Sequence, residues 1–443
     1  MTMRWENWAR TESAVPAEVV APSSAGEVSA VVAAAAAAGR SVKAIGSGHS
    51  FSGIAVTEGL QLRPDRMTGV VRADAESGLV TVRAGTPLHR LNPLLAELGL
   101  ALEILGDIDR QTVAGALTTG THGSGDRFGI LATQVRELEM VLADGSIVTC
   151  SATQRPDLFA AARVSLGALG VITTVTLQCV PLFALRGLDR PQPLDETLDS
   201  LDELVSAHDH FEFFWFPHTA TALTRRFTRL PADAELRPLG RVARTVEDRL
   251  LADYAFEGLL RLGARRPATV PGITRLATRL TGTRDVTDLA HRVFASPRNV
   301  RFREGEYAIP RDAVVAVLRE LRRWVDTHDE AISFPFEVRF AAADDIWLSP
   351  AHERDVAYIA FHQYHRMPHE RWFEVCEDVL GAAGGRPHWG KMHRLGAAEL
   401  AEAYPRFTDF TALRAQVDPA RTFANPYLDR VLGPVGVHTG GAR

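Results

Sequence analysis

Four short patterns in this chain place reactive side chains where backbone and charge can assist them. Gly46-Ser47-Gly48-His49-Ser50-Phe51 follows the apolar run Val42 to Ile45 and sets one imidazole inside a glycine-rich turn. Such a turn can wrap a phosphate with backbone N–H groups while holding a nucleophilic ring beside a bound cofactor. It is not the dinucleotide fingerprint, because Gly53 falls too late for G-x-G-x-x-G, and it lacks the Lys-Ser/Thr ending of a P-loop. A second cluster, Thr119-Gly120-Thr121-His122-Gly123-Ser124-Gly125, is preceded by Gly106-Asp107 and by Thr112-Val113-Ala114-Gly115. Two such clusters can bracket a dinucleotide from opposite sides, since small residues permit close backbone approach.

The third pattern is Phe336-Glu337-Val338-Arg339-Phe340. On a strand, Glu337 and Arg339 share one face and Val338 takes the other. A carboxylate and a guanidinium presented together can bind a polyol and lower a hydroxyl's pKa, although such a pair taken alone is ordinarily a surface ion pair. The fourth is His388-Trp389-Gly390-Lys391-Met392-His393. Of 49 lysines and arginines only Lys43 and Lys391 are lysines, which hints at tasks for a compact ammonium that a planar guanidinium does badly.

The elements that must carry these residues read as an α+β protein. Val28 to Ala38 predicts a buried helix ending at Gly39, and Leu79 to Val82 a strand. Thr86-Pro87 is expected to cap a helix whose Leu88, Leu91, Leu95 and Leu98 share a face before Gly99. Val135 to Leu142 and Ile147 to Cys150 predict a hairpin around Asp144-Gly145, and Val171 to Leu177 a buried strand. Beyond Pro181 the character changes, with a strand at Phe211 to Phe216 and an Arg-rich stretch from Arg225 to Arg284. Pro310 is expected to start a helix carrying Val314, Val317, Leu318 and Leu321. Strands at Ile332 to Phe340 and Val356 to Phe361 and a helix at Trp372 to Leu380 follow, then a helical and irregular tail.

With 443 residues, 46% of them hydrophobic, the chain can build two domains with substantial cores. A net charge of -5 offers no polyanion-binding surface, so nucleic acid is not an expected partner. Cys150, Cys179 and Cys376 are too few and too scattered for a disulfide framework or a thiolate metal site, and no metal is expected. Met1 to Arg10 lacks a signal peptide's apolar core, and no run is long enough to span a bilayer. The expected location is the cytoplasm, with peripheral membrane association left open.

All four patterns in this order, from about Trp5 to Leu432, resemble the aldonolactone oxidoreductase and alditol oxidase branch of the vanillyl-alcohol-oxidase-type flavoproteins. The resemblance implies an FAD-binding domain over residues 1–182 and a cap domain over 183–395, with an antiparallel sheet over the flavin. Residues 396–443 would pack back on the first domain. FAD would be held by Ile45, Gly46, Ser47, Gly48, His49, Ser50, Phe51, Gly106, Asp107, Thr112, Gly115, Ala116, Thr118, Thr119, Gly120, His122, Gly123, Ser124, Val171, Ile172, His388 and Lys391.

It also implies that His49 bonds covalently to the flavin 8α-methyl group, against the plainer reading in which the ring only hydrogen-bonds the loop or a phosphate. His122 reads as a packed loop histidine. Lys391 would sit at the flavin N1/C2=O edge, stabilising charge that arrives with hydride. Arg339 would favour the substrate alkoxide, and Glu337 would orient hydroxyls or accept a proton. Asp107, Glu337, Arg339, His362, Lys391 and His393 would form the substrate site, and the electrostatic roles of Glu337, Arg339 and Lys391 would leave folding untouched.

Gly106-Asp107 replaces the Ala-Ser of alditol oxidases, and His362 stands where those have a threonine. Both departures, and Lys391-Met392-His393, resemble the lactone branch, so the expected substrate is a sugar lactone, with a polyol as the alternative. Glycine at 106 removes a methyl group that resembles an oxygen gate in dehydrogenase members, so oxygen is the expected acceptor, with a cytochrome or dye as the alternative. A flavin-binding module without turnover and a UDP-sugar reductase are the more distant rivals.

Overall fold

The computed structural model describes residues 4–238, 252–296 and 300–434. Part of the Arg-rich stretch, residues 239–251, lies outside them, as do the first three residues and the last nine of the C-terminal segment.

The N-terminal part builds two main sheets beside two short two-stranded pairs. A parallel one combines β1 (Glu18–Val20), β2 (Val42–Ala44) and β3 (Leu60–Leu62) in the order β1-β3-β2, under α1 (Ala25–Ala37). The Ser24 side chain caps α1 by accepting from Glu27 N, and Gly39 at φ +64° ends it as expected. The second sheet uses β4 (Val70–Asp74), β5 (Leu79–Arg83), β6 (Val135–Val141), β7 (Ile147–Ser151) and β8 (Val171–Gln178), in the order β7-β6-β8-β5-β4. Gly145, at φ +84°, makes the predicted hairpin turn between β6 and β7.

Helix α2 (Leu88–Glu97) buries Leu88, Leu91 and Leu95, but Leu98 stays exposed because the helix has already ended. Thr86 does not cap it. Its hydroxyl accepts from Gly69 N at 2.9 Å and donates to Arg83 O at 2.6 Å. Helix α3 (Val113–Thr118) follows, capped by Thr112.

The C-terminal part is one eight-stranded antiparallel sheet. Its strands are β9 (Phe183–Pro193), β10 (His210–Trp215), β11 (Thr221–Pro231), β12 (Arg284–Leu289), β13 (Phe302–Pro310), β14 (Phe336–Ala341), β15 (Val356–Tyr364) and β16 (Arg386–Pro387), ordered β12-β9-β11-β10-β14-β15-β13-β16. Helices α4 (Val314–Thr327) and α5 (Glu370–Ala382) cover one face. Pro310 ends β13 instead of starting α4; one 3-10 turn intervenes. The predicted strand at 332 begins only at Phe336, because Pro335 has no N–H and the preceding residues bond sideways. Ile332 N donates to His218 Nε2, and the Ser333 hydroxyl donates to Gln363 Oε1 at 2.7 Å.

Alternation divides this sheet chemically. Phe336, Val338, Ile359 and Phe361 pack with Leu318, Leu321 and Trp372 under the helices. The intervening residues face the N-terminal part, and several are charged. The tail returns as α6 (Pro426–Leu432), where the Asn425 amide donates to the carbonyls of Gly53, Ile54 and Val56.

Candidate active site

Strand register assembles the site. Along one row, Asp189 on β9 pairs with Arg225 on β11, Arg225 with Glu212 on β10, and Arg339 on β14 with Tyr358 on β15. The charges alternate and touch: Arg225 Nε is 3.1 Å from Asp189 Oδ1, Arg225 Nη1 is 2.6 Å from Glu212 Oε1, and Arg339 Nε is 3.2 Å from Glu212 Oε2. Arg339 Nη2 also donates to Glu337 Oε1 and lies 3.2 Å from Asp107 Oδ2. Glu337 and Arg339 are each only 6% exposed, so this is no surface pair. Burial opposes the charge on Arg339, yet Asp107, Glu337 and Glu212 hold its pKa well above the ordinary value.

In the next row Glu337 pairs with Ala360, and Ala360 with Glu306 on β13. Two strand spacings separate the carboxylates by roughly 10 Å of backbone, with only a methyl group between them. One row further, His362 pairs with Glu304. Lys391 closes the far side: its Nζ is 2.5 Å from Glu304 Oε1, 4.0 Å from Glu306 Oε2, and 5.4 Å above the Phe51 ring. Burial works against the ammonium, but Glu304 and Glu306 raise its pKa. Because Lys391 neutralises buried carboxylates, and Arg339 likewise, the expectation that their loss leaves folding untouched is corrected. Removing one partner of a buried ion pair costs about 3–5 kcal/mol.

The glycine loops meet this face. Phe51 N donates to Gly390 O at 2.7 Å, which sets the His49 loop against the Lys391 loop. Gly125 N donates to Phe340 O at 2.8 Å, and Ser124 Oγ bonds both Phe211 O and Phe340 N, which ties the second loop to β10 and β14. A cavity runs beside the His49 loop, lined by Lys43, Gly46 to Ser50, Thr112, Gly115, Thr118, Thr119, Leu166 and Gly167. Among the described residues, none of the amide N–H groups of residues 46–50 or 122–124 donates to a protein acceptor. A Cβ on Gly46 would lie 2.4 Å from Thr112 Oγ1, and one on Gly123 would lie 2.4 Å from Leu105 O. Free donors on close-packed loops fit the pyrophosphate and flavin edges of FAD.

His49 lines this cavity, its ring centroid 6.1 Å from that of Trp8, and burial, then Arg110, lowers its pKa so that the ring is neutral. Lys43 Nζ lies 3.3 Å from Phe423 O and 3.4 Å from Leu166 O, and burial pushes it down to about 7. Gly120 sits at φ +80°, and Ala116 is in the core. Val171 and Ile172 are core residues at the start of β8, and neither lines the cavity. His393 stands apart as well: its Nε2 is 3.3 Å from Tyr427 Oη, and it lines a separate cavity of about 350 Å³ with Tyr427 and Arg430. His122 is more than a packed loop residue, since it faces Glu306 and stacks on Tyr358 with ring centroids 3.5 Å apart.

The sequence reading omitted Glu212, Glu304 and Glu306. The same i, i+2 spacing that exposed Glu337 and Arg339 was present in Glu304-Gly305-Glu306. His122, Glu306 and His388 offer ligand atoms within 4.8 Å of one another. However, His388 Nδ1 accepts from Gly390 N, which places its hydrogen on Nε2, so the cluster is arranged around protons.

Comparison with known proteins agrees with this architecture. The family described as D-arabinono-1,4-lactone oxidase matches residues 175–431, and an FAD binding domain matches residues 16–151. Mycobacterium tuberculosis L-gulono-1,4-lactone dehydrogenase is 43% identical over 98% of this chain and all of its own length. Bos taurus L-gulonolactone oxidase is 36% identical over 97% of this chain and 98% of its own. Alditol oxidase from a Streptomyces species is 32% identical over 96% and 98%. Cholesterol oxidase from B. sterolicum shares the fold, with a TM-score of 0.83 at 18% identity over 97% of this chain and 96% of its own. Among the described residues no helix is long and apolar enough to cross a membrane.

Proposed function

This chain belongs to the D-arabinono-1,4-lactone oxidase family and carries its FAD-binding domain, and on that premise we propose that it oxidises the C2 alcohol of an aldono-1,4-lactone. The substrate is of L-gulono, L-galactono or D-arabinono type, and the product is a 2-keto lactone that enolises to an ascorbate-type compound. The observation that carries this reading is Arg339, a buried guanidinium held beside Glu337 and Asp107, with a lysine cation across the same sheet face.

Gly46 to Ser50, Thr112, Gly115 and Thr119 would hold FAD along the cavity beside the His49 loop, where it would supply the hydride acceptor and His49 would be the residue to bond the flavin. Arg339 binds the lactone's oxygens and favours the alkoxide form of the reacting alcohol, while Glu337 orients neighbouring hydroxyls. Lys391 places positive charge where negative charge develops. Asp107 and His362 stand where alditol oxidases differ, and both are engaged, Asp107 with Arg339 and His362 with Glu304. That arrangement favours a lactone over an open-chain polyol. Oxygen serves as acceptor through the space left at Gly106.

Steady-state turnover of gulono-, galactono- and arabinono-1,4-lactones against xylitol and sorbitol tests the substrate class. Higher kcat/KM on a lactone with formation of an enediol product is expected; higher kcat/KM on an alditol overturns it.

A further inference from the structure

The two histidines that face the β13 carboxylates are wired alike. His122 Nδ1 is 2.9 Å from Gly123 O and its Nε2 3.2 Å from Glu306 Oε1. His362 Nδ1 is 3.0 Å from Pro335 O and its Nε2 3.1 Å from Glu304 Oε1. A carbonyl only accepts, so each Nδ1 carries a hydrogen. An unprotonated Nε2 and an ionised carboxylate are both acceptors, so each Nε2 contact needs a proton of its own. Each pair is therefore neutral as a unit, whichever atom holds that shared proton.

Burial alone would push both carboxyls up. Lys391 and His362 nevertheless hold Glu304 below the usual range, and His122 and Lys391 hold Glu306 well below it, so both carboxyls favour the ionised form. His388, whose ring centroid is 5.8 Å from that of His122, is wired the opposite way, and burial pushes it down to about 4, so it stays neutral. Tyr358, stacked on His122, is held neutral by burial. The Phe302 and Phe334 rings lie beside His362, and Asp107 is a further carboxylate that reaches Lys391.

The charge count follows. With both protons in place, Lys391, Glu304, Glu306, His122 and His362 carry one net positive charge, that of the ammonium. Loss of either proton cancels it, and loss of both reverses it. We propose that His122 and His362 keep the Lys391 pocket positive, each by holding a proton against its glutamate, and that hydride transfer toward this pocket needs both protons. The proposal rests on Lys391 facing the flavin as described above. It makes the two histidines positioning residues that set the charge at the flavin edge.

The decisive variants are His122→Asn, Glu306→Gln and their combination, with His362→Asn and Glu304→Gln as the parallel set. His122→Asn leaves Glu306 uncompensated, so the flavin midpoint potential should fall and lactone-driven bleaching should slow by about tenfold or more. Adding Glu306→Gln removes the surplus charge and should return both readouts to within about threefold of the parent. A packing role for His122 predicts no such rescue, and a His122→Asn potential equal to the parent's, or no recovery in the double variant, overturns the proposal. The potential needs only bound flavin, so a parent whose flavin is not bleached by any lactone contradicts the function and leaves this measurement decisive for the charge. A readout independent of the variants is 15N-histidine NMR of the full chain at pH 7. Both ring nitrogens of His122 and of His362 should be protonated, and a bare Nε2 on either, with its glutamate ionised, overturns the assignment.

Discussion

Glu212 lies behind Arg339, its Oε2 3.2 Å from Arg339 Nε, as an ion pair and not an aligned hydrogen bond. Its other oxygen accepts from Arg225 Nη1 at 2.6 Å, and Arg225 in turn meets Asp189. A guanidinium fixed from behind presents its remaining N–H groups in one direction.

Glu212→Gln keeps the shape and removes the charge that aims Arg339. The expected result is a KM for lactone raised by about tenfold with a smaller change in kcat. Thermal unfolding should shift little, since Arg339 retains Asp107 and Glu337, and Arg225 retains Asp189. Steady-state kinetics beside a melting curve checks both, and an unchanged KM would show that Glu212 does not steer substrate binding.

His49 lines the loop cavity as a neutral ring, the form in which an imidazole nitrogen is a nucleophile. Acid precipitation of the parent should leave flavin in the pellet, whereas His49→Ala should release it to the supernatant. Free flavin from the parent would leave His49 a hydrogen-bonding residue only.

Much of this was legible in the chain. The two glycine loops, Lys391 and the Glu337-x-Arg339 pair were visible because turn chemistry and period-two spacing are local signals. Glu212 was not, because a single acid in His210-Phe211-Glu212-Phe213-Phe214 looks like any solvent-facing strand position until register sets it beside Arg339. Leu98 failed by one residue of helix length, and the strand before Phe336 failed because Pro335 lacks the N–H that would have extended the ladder.

Burial keeps several histidines neutral, pushing His210 down to about 3, His388 to about 4 and His393 to about 3. An unfolded chain takes up these protons near the ordinary histidine pKa of about 6.5, while the folded chain refuses them. The unfolded state thus binds more protons in this window, so stability should fall as pH drops from about 6.5 toward 4. Urea midpoints at pH 7.5 and 5 measure it. His210 joins Ser124 O to Arg229 Nε, so His210→Asn should flatten part of the slope; a midpoint independent of pH contradicts the account.

Gly106 packs closely against the second glycine loop. A Cβ there would lie 3.2 Å from both His122 O and Thr121 Cγ2, so an alanine fills the gap and presses that loop by a few tenths of an ångström. Gly106→Ala should slow reoxidation by oxygen while anaerobic bleaching by substrate changes little. Stopped-flow mixing of the substrate-bleached enzyme with oxygenated buffer measures this, and sluggish reoxidation already in the parent would make the protein a dehydrogenase using another acceptor.

The most direct measurement is anaerobic stopped-flow bleaching of the bound flavin by L-gulono-1,4-lactone in the parent and in Arg339→Ala. Fast, lactone-dependent loss of the flavin absorbance is expected in the parent, slowed by about a hundredfold or more in the variant, as for loss of one transition-state donor. A parent that xylitol bleaches faster than any lactone, or an Arg339→Ala enzyme that bleaches at the parent rate, would contradict the assignment of this site to lactone oxidation.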